Sequence, residues 1–321
     1  MARLGTINYL AGSVDSSLYR NGQLLTRRNP DGSDTGFEGV VLEATSVEIE
    51  DARRLKGSKR RGLDKNGFEL LAEPPRSSGL NFLSHQEVVR EYYADCARVV
   101  QKTTGARHVF AFDHNVRSAA GKESQQRIRD GQEVQGPAHL AHGDYTLRSG
   151  PERLQQLAEL PTGNDTFRPL LEPGQGLLDP EWVEEALGSA GRFALINLWR
   201  NIAEEPVATH PLALCDAQTV TPDDLVVFEI HYQDRIGENY FSKYSPRHCW
   251  FYYPSMTRDE ALLIKQWDSA GGLAGSRGQQ DDGADPERPC TFSFHSAFED
   301  PSTPPDAPER WSIEVRCVAC Y

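Results

Sequence analysis

The stretch Arg310-Trp-Ser-Ile-Glu-Val-Arg-Cys317 alternates polar and apolar residues over its whole length. Side chains two residues apart on a β-strand point to the same face of a sheet, so this alternation predicts a half-buried strand. One face would carry Arg310, Ser312, Glu314 and Arg316, and the other would carry Trp311, Ile313, Val315 and Cys317. The apolar face belongs to a core, while the charged face either meets water or lines a polar site.

Further β-branched and aromatic runs predict that strands dominate the second half of the chain. They span residues 107–113, 192–199, 225–232, 248–253, 262–267, 291–298 and 311–320. Helices are predicted from about residue 85 to 104, where Ser84-x-x-Glu87 forms a capping box, and after Ser149 and Asp179. No composition shift marks a linker. We therefore expect a mainly β protein with flanking α-helices: a single domain, 1–321, with a core barrel of about residues 107–321 and an N-terminal α/β decoration of about residues 1–106.

The composition is that of a globular, acidic chain. Its 321 residues include 34 Lys and Arg against 47 Asp and Glu, a formal net charge of −13, and 38% are hydrophobic. Nucleic-acid binders neutralise phosphates with clustered basic residues, so this balance predicts no nucleic-acid partner. No apolar run approaches the roughly 20 residues that span a bilayer, and the N-terminus lacks the apolar core of a signal peptide. Together with six scattered cysteines, these features predict a cytoplasmic protein with no membrane partner.

A second informative stretch, residues 137–146, contains His142-x-Asp144. On a strand, these two side chains would project together from one face. A distant histidine on another strand would complete the two-histidine, one-carboxylate set that holds non-haem Fe(II) and leaves coordination positions open, and His295 is the candidate. A chain with nine histidines also produces such a pair by chance, so solvated polar residues at a strand end remain the alternative.

The third motif, Arg310-x-Ser312, follows His295 along the chain. An iron oxygenase that consumes 2-oxoglutarate must hold the distal carboxylate of this co-substrate in a partly buried pocket. A guanidinium fork can do so with two hydrogen bonds, and a hydroxyl two residues later shares its strand face. Arg316 lies on the same predicted face and is a further candidate for co-substrate binding. Taken alone, the motif also suits a strand whose charged face lies in water.

The chain resembles the iron/2-oxoglutarate oxygenases of bacterial and fungal secondary metabolism, a family that includes cephalosporin 7-alpha-hydroxylase/methoxylase-like and gibberellin desaturase-like proteins. Besides the motifs above, the resemblance includes residues 64–70, 104–106, 112–117, 197–200, 211–216, 248–254 and 265–269. It departs at Asn201, where proline is expected, and at Gly143, where a β-branched residue is usual. Membership implies a double-stranded β-helix (jelly-roll, cupin-like) fold, Fe(II), 2-oxoglutarate as co-substrate and O2.

Four further residues are candidates for substrate contact: Asn197, Trp199, Arg200 and Tyr145. Asn197 and Trp199 share one strand face, which suits an amide and an indole that line a pocket. Arg200 is expected to begin a loop and to clamp an anionic group of the substrate. A Trp in the core and an Arg in an ordinary salt bridge remain the alternatives.

The sequence therefore predicts a 2-oxoglutarate-dependent dioxygenase that hydroxylates, desaturates or cyclises a small secondary-metabolite or amino-acid-derived substrate at a C–H bond. His142, Asp144 and His295 are its predicted catalytic residues and metal ligands. The alternative is a non-catalytic, cupin-like protein that binds a metal or small molecule, and a metallohydrolase could use the same ligands. The Gly-rich segment 269–289 is expected to be either a flexible lid or a passive surface insertion. Formation of a homodimer stays open.

Overall fold

Two β-sheets form the framework of the protein. The structure, a computed structural model, describes residues 2–29, 34–77, 79–129, 131–163, 165–233 and 235–321. The described strands are β1 (Arg3–Leu10), β2 (Leu25–Arg28), β3 (Asp34–Glu38), β4 (Leu42–Asp51), β5 (Phe68–Ala72), β6 (His108–Arg117), β7 (His142–Gly143), β8 (Phe193–Asn201), β9 (Leu212–Cys215), β10 (Leu225–His231), β11 (Ile236–Ser242), β12 (Trp250–Tyr252), β13 (Glu260–Asp268), β14 (His295–Ala297) and β15 (Ser312–Cys320). The predicted mainly β fold is confirmed.

Short helices lie between the strands. The α-helices are α1 (Leu63–Asn66), α2 (His85–Glu87), α3 (Tyr93–Thr104), α4 (Ala119–Glu123), α5 (Ser149–Gln156), α6 (Pro180–Leu187) and α7 (Gly272–Gly275). A π-helical turn, Val88–Tyr92, joins α2 to α3. Single 3₁₀ turns occur at Ala52–Arg54, Gly57–Lys59, Arg168–Leu170, Ala217–Thr219 and Pro222–Asp224.

The order of strands in the sheets brings distant parts of the sequence together. The larger sheet has the order β1-β4-β12-β9-β14-β7-β11-β10-β2-β3, and the smaller sheet has the order β5-β13-β8-β15-β6. Most neighbours are antiparallel, and the exceptions are β10 with β2 and β12 with β4. Because β7 and β14 are adjacent in the larger sheet, the two predicted histidine ligands lie on neighbouring strands.

The N-terminal segment is part of both sheets. Strands β1 to β4 belong to the larger sheet, and β5 pairs with β13 in the smaller one. The predicted boundary near residue 107 therefore does not coincide with a boundary in either sheet. β4 gave no clear strand signal because its alternation is weak: of its ten residues only Ile49 is fully buried.

A helical layer covers the outer face of the smaller sheet. The predicted helix 85–104 is present as α2, the π turn and α3, and Gly105 ends it with φ 71°, in the left-handed region that glycine adopts readily. The buried side chains of Cys96 and Val99 belong to the same core cluster as Val315 of β15. The predicted capping box is wrong, because the Ser84 hydroxyl accepts a hydrogen bond from Arg129 instead of from the helix.

The segment 269–289 is folded against the barrel. It contains α7, and its polar side chains turn inward as well as outward. The buried carboxylate of Asp282 accepts hydrogen bonds from the Leu273 amide (2.9 Å), the Thr291 amide (2.6 Å) and the Thr291 hydroxyl (2.7 Å). These bonds tie the two ends of the segment together, which favours a passive surface insertion over a flexible lid.

Candidate active site

His142, Asp144 and His295 converge on one point in the structure. One ligand atom from each of the three side chains lies within 4.8 Å of the other two. Antiparallel pairing of β7 with β14 sets His142 opposite His295, with ring centroids 4.3 Å apart. All three residues are buried. The two imidazoles and the carboxylate form the set of ligand types that suits a divalent metal such as Fe(II).

The protonation of the two histidines favours metal ligation. Nδ1 of His142 lies 2.7 Å from the Leu140 carbonyl oxygen, so this nitrogen donates and Nε2 is left to bind a metal. Burial, followed by the neighbouring His295, lowers the pKa of His142 to about 4. Burial also lowers the pKa of His295 to about 4. Both imidazoles are therefore neutral at pH 7, which is the form that coordinates a metal.

The Asp144 carboxylate is oriented by side chains on two other strands, β8 and β15. Its Oδ2 accepts hydrogen bonds from Asn197 Nδ2 (2.9 Å) and Arg316 Nε (3.2 Å), while its Oδ1 lies 3.7 Å from His142 Nε2. Burial opposes ionisation of this carboxyl, but the charge of Arg316, joined by that of the two imidazoles at the low pH where they are protonated, outweighs it and holds the pKa well below its usual range. One carboxylate oxygen is thus fixed by the protein and the other faces the imidazole.

Gln266 contacts two of the three candidate ligands. Its Oε1 accepts a hydrogen bond from the Asp144 amide (3.0 Å), and its Nε2 lies 3.4 Å from Nδ1 of His295. Partners of this kind fix the orientation of metal-binding side chains. The sequence analysis did not select Gln266, although it lies within the motif 265–269 that carried the family resemblance.

The inner face of the smaller sheet follows the predicted alternation. Across β6, β15 and β8, Arg316 lies in register with Asp113 and Asn197, and Glu314 lies in register with Trp199. Arg316 also donates to Asp113 Oδ2 at 2.9 Å. Its guanidinium is thereby held by Asp113 and Asp144 together and positions the Asp144 carboxylate. A contact between Arg316 and the co-substrate stays a prediction from the sequence.

Arg310 is a buried cation with few partners. One of its terminal nitrogens donates to the His210 carbonyl oxygen, its Nε has no hydrogen-bond partner, and no ion pair involves it within the described residues. The buried hydroxyl of Ser312 also has no partner. Burial lowers the pKa of Arg310 to about 9. Because a buried charge is costly unless it is paired, this pair of residues fits the distal carboxylate of a 2-oxoglutarate molecule.

A cavity of about 260 Å³ opens onto the candidate metal site. Of the predicted site residues, its wall includes His142, Asp144, Tyr145 and Arg316. No residue of the segment 269–289 contributes to this wall, which agrees with the ordered packing of that segment. The buried Tyr145 is therefore the substrate candidate that the structure places in the cavity.

The other three substrate candidates have different places. Asn197 binds the Asp144 carboxylate, and Trp199 lies in a core cluster with the Arg310 guanidinium carbon 5.8 Å from its ring centroid. Arg200 belongs to β8, so the prediction that it begins a loop is wrong. Its buried side chain projects from the opposite face of the strand and donates to Tyr92 Oη at 2.7 Å. Parity along β8 therefore separates Arg200 from the cavity.

Both departures from the family pattern have local explanations. A Cβ atom on Gly143 would lie 2.9 Å from the Phe292 ring, so a larger residue would require the ring to move. Asn201 ends β8 inside the protein, where its amide donates to the Glu205 carbonyl (2.7 Å) and the Met256 carbonyl (3.2 Å). It thereby holds the turn after the strand in place.

Comparisons with known proteins agree with this arrangement. The family model described as "Oxidoreductase/YMDC permease-like domain" matches residues 7–169 and 175–320. No helix in the described part of the chain is long and apolar enough to cross a membrane. An uncharacterized protein from the dcmA 3' region of Methylophilus leisingeri is 42% identical over 61% of this chain and 89% of its own length.

Relatives with assigned activities are more distant in sequence. The Fe(II)/2-oxoglutarate-dependent dioxygenase nvfI of Aspergillus novofumigatus is 30% identical over 85% of this chain and 82% of its own length. The solved structure of the iron and alpha-ketoglutarate-dependent endoperoxidase NvfI has a TM-score of 0.68 at 25% identity, and the match covers 98% of this chain and 97% of that one. The predicted jelly-roll fold is confirmed by this match. The chain belongs to the Fe(II)- and 2-oxoglutarate-dependent oxygenase family.

Proposed function

We propose that this protein oxidises a C–H bond of a small-molecule substrate, with Fe(II) held by His142, Asp144 and His295 and with 2-oxoglutarate held by Arg310 and Ser312. The observation that carries the proposal is the convergence of the two imidazoles and the carboxylate within 4.8 Å, with His142 and Asp144 in the cavity wall. The unpaired guanidinium and hydroxyl supply the second requirement, a receptor for a carboxylate. Hydroxylation is the simplest outcome, and desaturation or cyclisation are its variants.

Bound Fe(II) couples the decarboxylation of 2-oxoglutarate to the reduction of O2, so that R–H, 2-oxoglutarate and O2 become R–OH, succinate and CO2. The residues of this chain prepare the site for that chemistry. His142 and His295 stay neutral, Asp144 stays ionised because Arg316 faces it, and Arg310 offsets the charge of the distal carboxylate. Burial of these groups keeps water away from the reacting centre.

The test is product formation by the purified protein with Fe(II), 2-oxoglutarate and O2. Mass spectrometry would follow succinate and the mass of each member of a panel of candidate substrates. We expect succinate from the wild type and none from Asp144→Ala, because a ligand is lost. Asp15→Ala removes a carboxylate from an exposed position and is the matched control, which should keep the wild-type rate. An equal rate in Asp144→Ala would contradict the ligand assignment.

A non-catalytic binding protein is not favoured by these findings, because it would have no use for a buried arginine that lacks an anion. Iron occupancy without succinate formation in the assay above would favour it. Three expectations stay predictions from the sequence: a single domain, a cytoplasmic location and no nucleic-acid partner. Formation of a homodimer stays a possibility that the sequence does not decide.

A further inference from the structure

Every acidic side chain in the cavity wall has an arginine partner. These side chains are Asp113, Asp144, Glu152 and Glu238. Arg316 holds the first two at 2.9 and 3.2 Å, Arg148 holds Glu152 at 2.6 Å, and Arg20 holds Glu238 at 2.6 Å. Apart from Asp144, the proposed metal ligand, none of these carboxylates is therefore left without a basic partner to attract a cationic substrate.

Two arginines of the same wall differ in this respect. Within the described residues, neither Arg117 nor Arg235 forms an ion pair with a carboxylate: Arg117 donates to the Gly136 carbonyl oxygen (2.9 Å), and Arg235 donates to the Gln156 amide oxygen (3.5 Å). By contrast Arg153, also in the wall, pairs with Asp165 at 2.8 Å. In the described part of the chain, the guanidinium groups of Arg117 and Arg235 are thus not in contact with a carboxylate.

Two of the wall arginines flank one aromatic ring of the wall. The guanidinium carbon of Arg235 lies 4.4 Å from the Tyr232 ring centroid, and that of Arg28 lies 5.9 Å from the same centroid. Burial lowers the pKa of Arg117, and Arg316 and Arg28 lower it further while Glu314 opposes them. Arginine side chains that share the wall of one cavity attract an anion into it.

We propose that the substrate oxidised in this cavity is a small organic anion, with Arg235 as the residue that binds its anionic group and Arg117 as a second positive charge in the same wall. A carboxylate or a phosphate meets this requirement, because an arginine fork binds either one with two hydrogen bonds. The inference rests on the proposed function, since it names the class of substrate for the same site.

The size of the cavity and its few apolar groups refine this class. A volume of about 260 Å³ is below the 300–1,000 Å³ of pockets for drug-sized ligands. The apolar part of the wall comes from Phe112, Ile230 and Ile236. The substrate is therefore a compact molecule with a short hydrocarbon portion beside its anionic group.

The experiment compares charged and neutral molecules of the same shape. Calorimetric titrations would use protein loaded with Fe(II) and saturating 2-oxoglutarate, without O2, so that binding is measured without turnover. The probes are short carboxylates of about three to six carbons with their primary amides, and phosphate monoesters with the parent alcohols. The variant is Arg235→Gln, and the matched control is Arg54→Gln, which removes the same charge from an exposed position where Arg54 pairs with Asp51 at 3.3 Å.

We expect the charged member of at least one series to bind at least about tenfold more tightly than its neutral partner in the wild type and in Arg54→Gln. Arg235→Gln should remove most of this preference and leave the affinity for the neutral partner within about twofold. The series that binds identifies carboxylate or phosphate as the group. Equal affinities for charged and neutral members, binding by no member, or a preference unchanged in Arg235→Gln would each overturn the inference.

Succinate formation by the wild type in air distinguishes this failure from failure of the proposed function. If succinate forms but the anion preference is absent, the substrate class is wrong and the oxygenase assignment stands. If the preference is present but succinate never forms with any bound probe, the cavity binds anions and the oxygenase proposal fails.

Discussion

Replacement of Arg310 by methionine separates a role in binding 2-oxoglutarate from a role in stabilising the fold. In the folded protein the guanidinium is almost wholly buried, donates to the His210 carbonyl and leaves its Nε without a partner. Methionine has a similar length and fills the same space without a charge. The substitution therefore removes the carboxylate receptor and the uncompensated charge together.

The two effects have opposite signs. A pKa lowered by burial from 12.5 to about 9 corresponds to about 5 kcal/mol against the charged form, and an apolar replacement avoids this cost. The free energy of unfolding without 2-oxoglutarate should therefore stay equal or rise. The fork would give a carboxylate two charge-assisted hydrogen bonds of about 1.5–3 kcal/mol each. Their loss should weaken 2-oxoglutarate binding at least about 100-fold.

Anaerobic calorimetry with Fe(II) would measure the 2-oxoglutarate affinity, and urea unfolding of the metal-free protein would measure stability. Arg316→Met is the comparison: it should lower stability, because Asp113 and Asp144 lose their partner, and it should weaken 2-oxoglutarate binding less than Arg310→Met does. Wild-type affinity in Arg310→Met, or a larger affinity loss in Arg316→Met, would refute the assignment of the co-substrate pocket.

Three further measurements test the metal site. Single alanine substitutions of His142, Asp144 and His295 should each abolish stoichiometric Fe(II) binding, as read by metal analysis, and full occupancy in any one would remove that residue from the ligand set. Asn197→Ala should lower Fe(II) affinity by about 10–100-fold while the fold is retained, because Asp144 loses one of its two side-chain donors; circular dichroism and metal competition would check both. The folded pKa values of His114, His142 and His295 are about 4, below about 6.5 in the unfolded chain, so the unfolded state binds more protons between these values. The contribution of these histidines to the free energy of unfolding of the metal-free protein should therefore be fully present above pH 6.5 and should decrease toward pH 4, with a loss of about 1 kcal/mol per histidine at pH 5.5. A urea midpoint that is no lower at pH 5.5 than at pH 7.5 would contradict this prediction.

The sequence alone determined what depends on spacing along a single strand. The two-residue period of a β-strand places His142 near Asp144, and the same period places Arg316 on one face with Glu314 and Ser312, whatever lies opposite. The strong alternation of β15 and the apolar runs of β8, β10 and β13 reflect burial of at least one face, so these strands were predictable within a few residues.

Only the tertiary structure decided which of these faces meet. The pairing of β7 with β14 joins His142 to His295, and the register of β15 with β6 and β8 places Arg316 against Asp113 and Asp144 while Arg310 is left without a carboxylate. Likewise, Tyr92 packs against β8 and accepts a hydrogen bond from Arg200, which is buried away from the cavity. The hairpin of β10 and β11 places Arg235, which the sequence did not single out, in the cavity wall. These contacts join residues far apart in the chain, and their partners depend on which strands become neighbours, a choice made by burial of the whole core rather than by any local pattern.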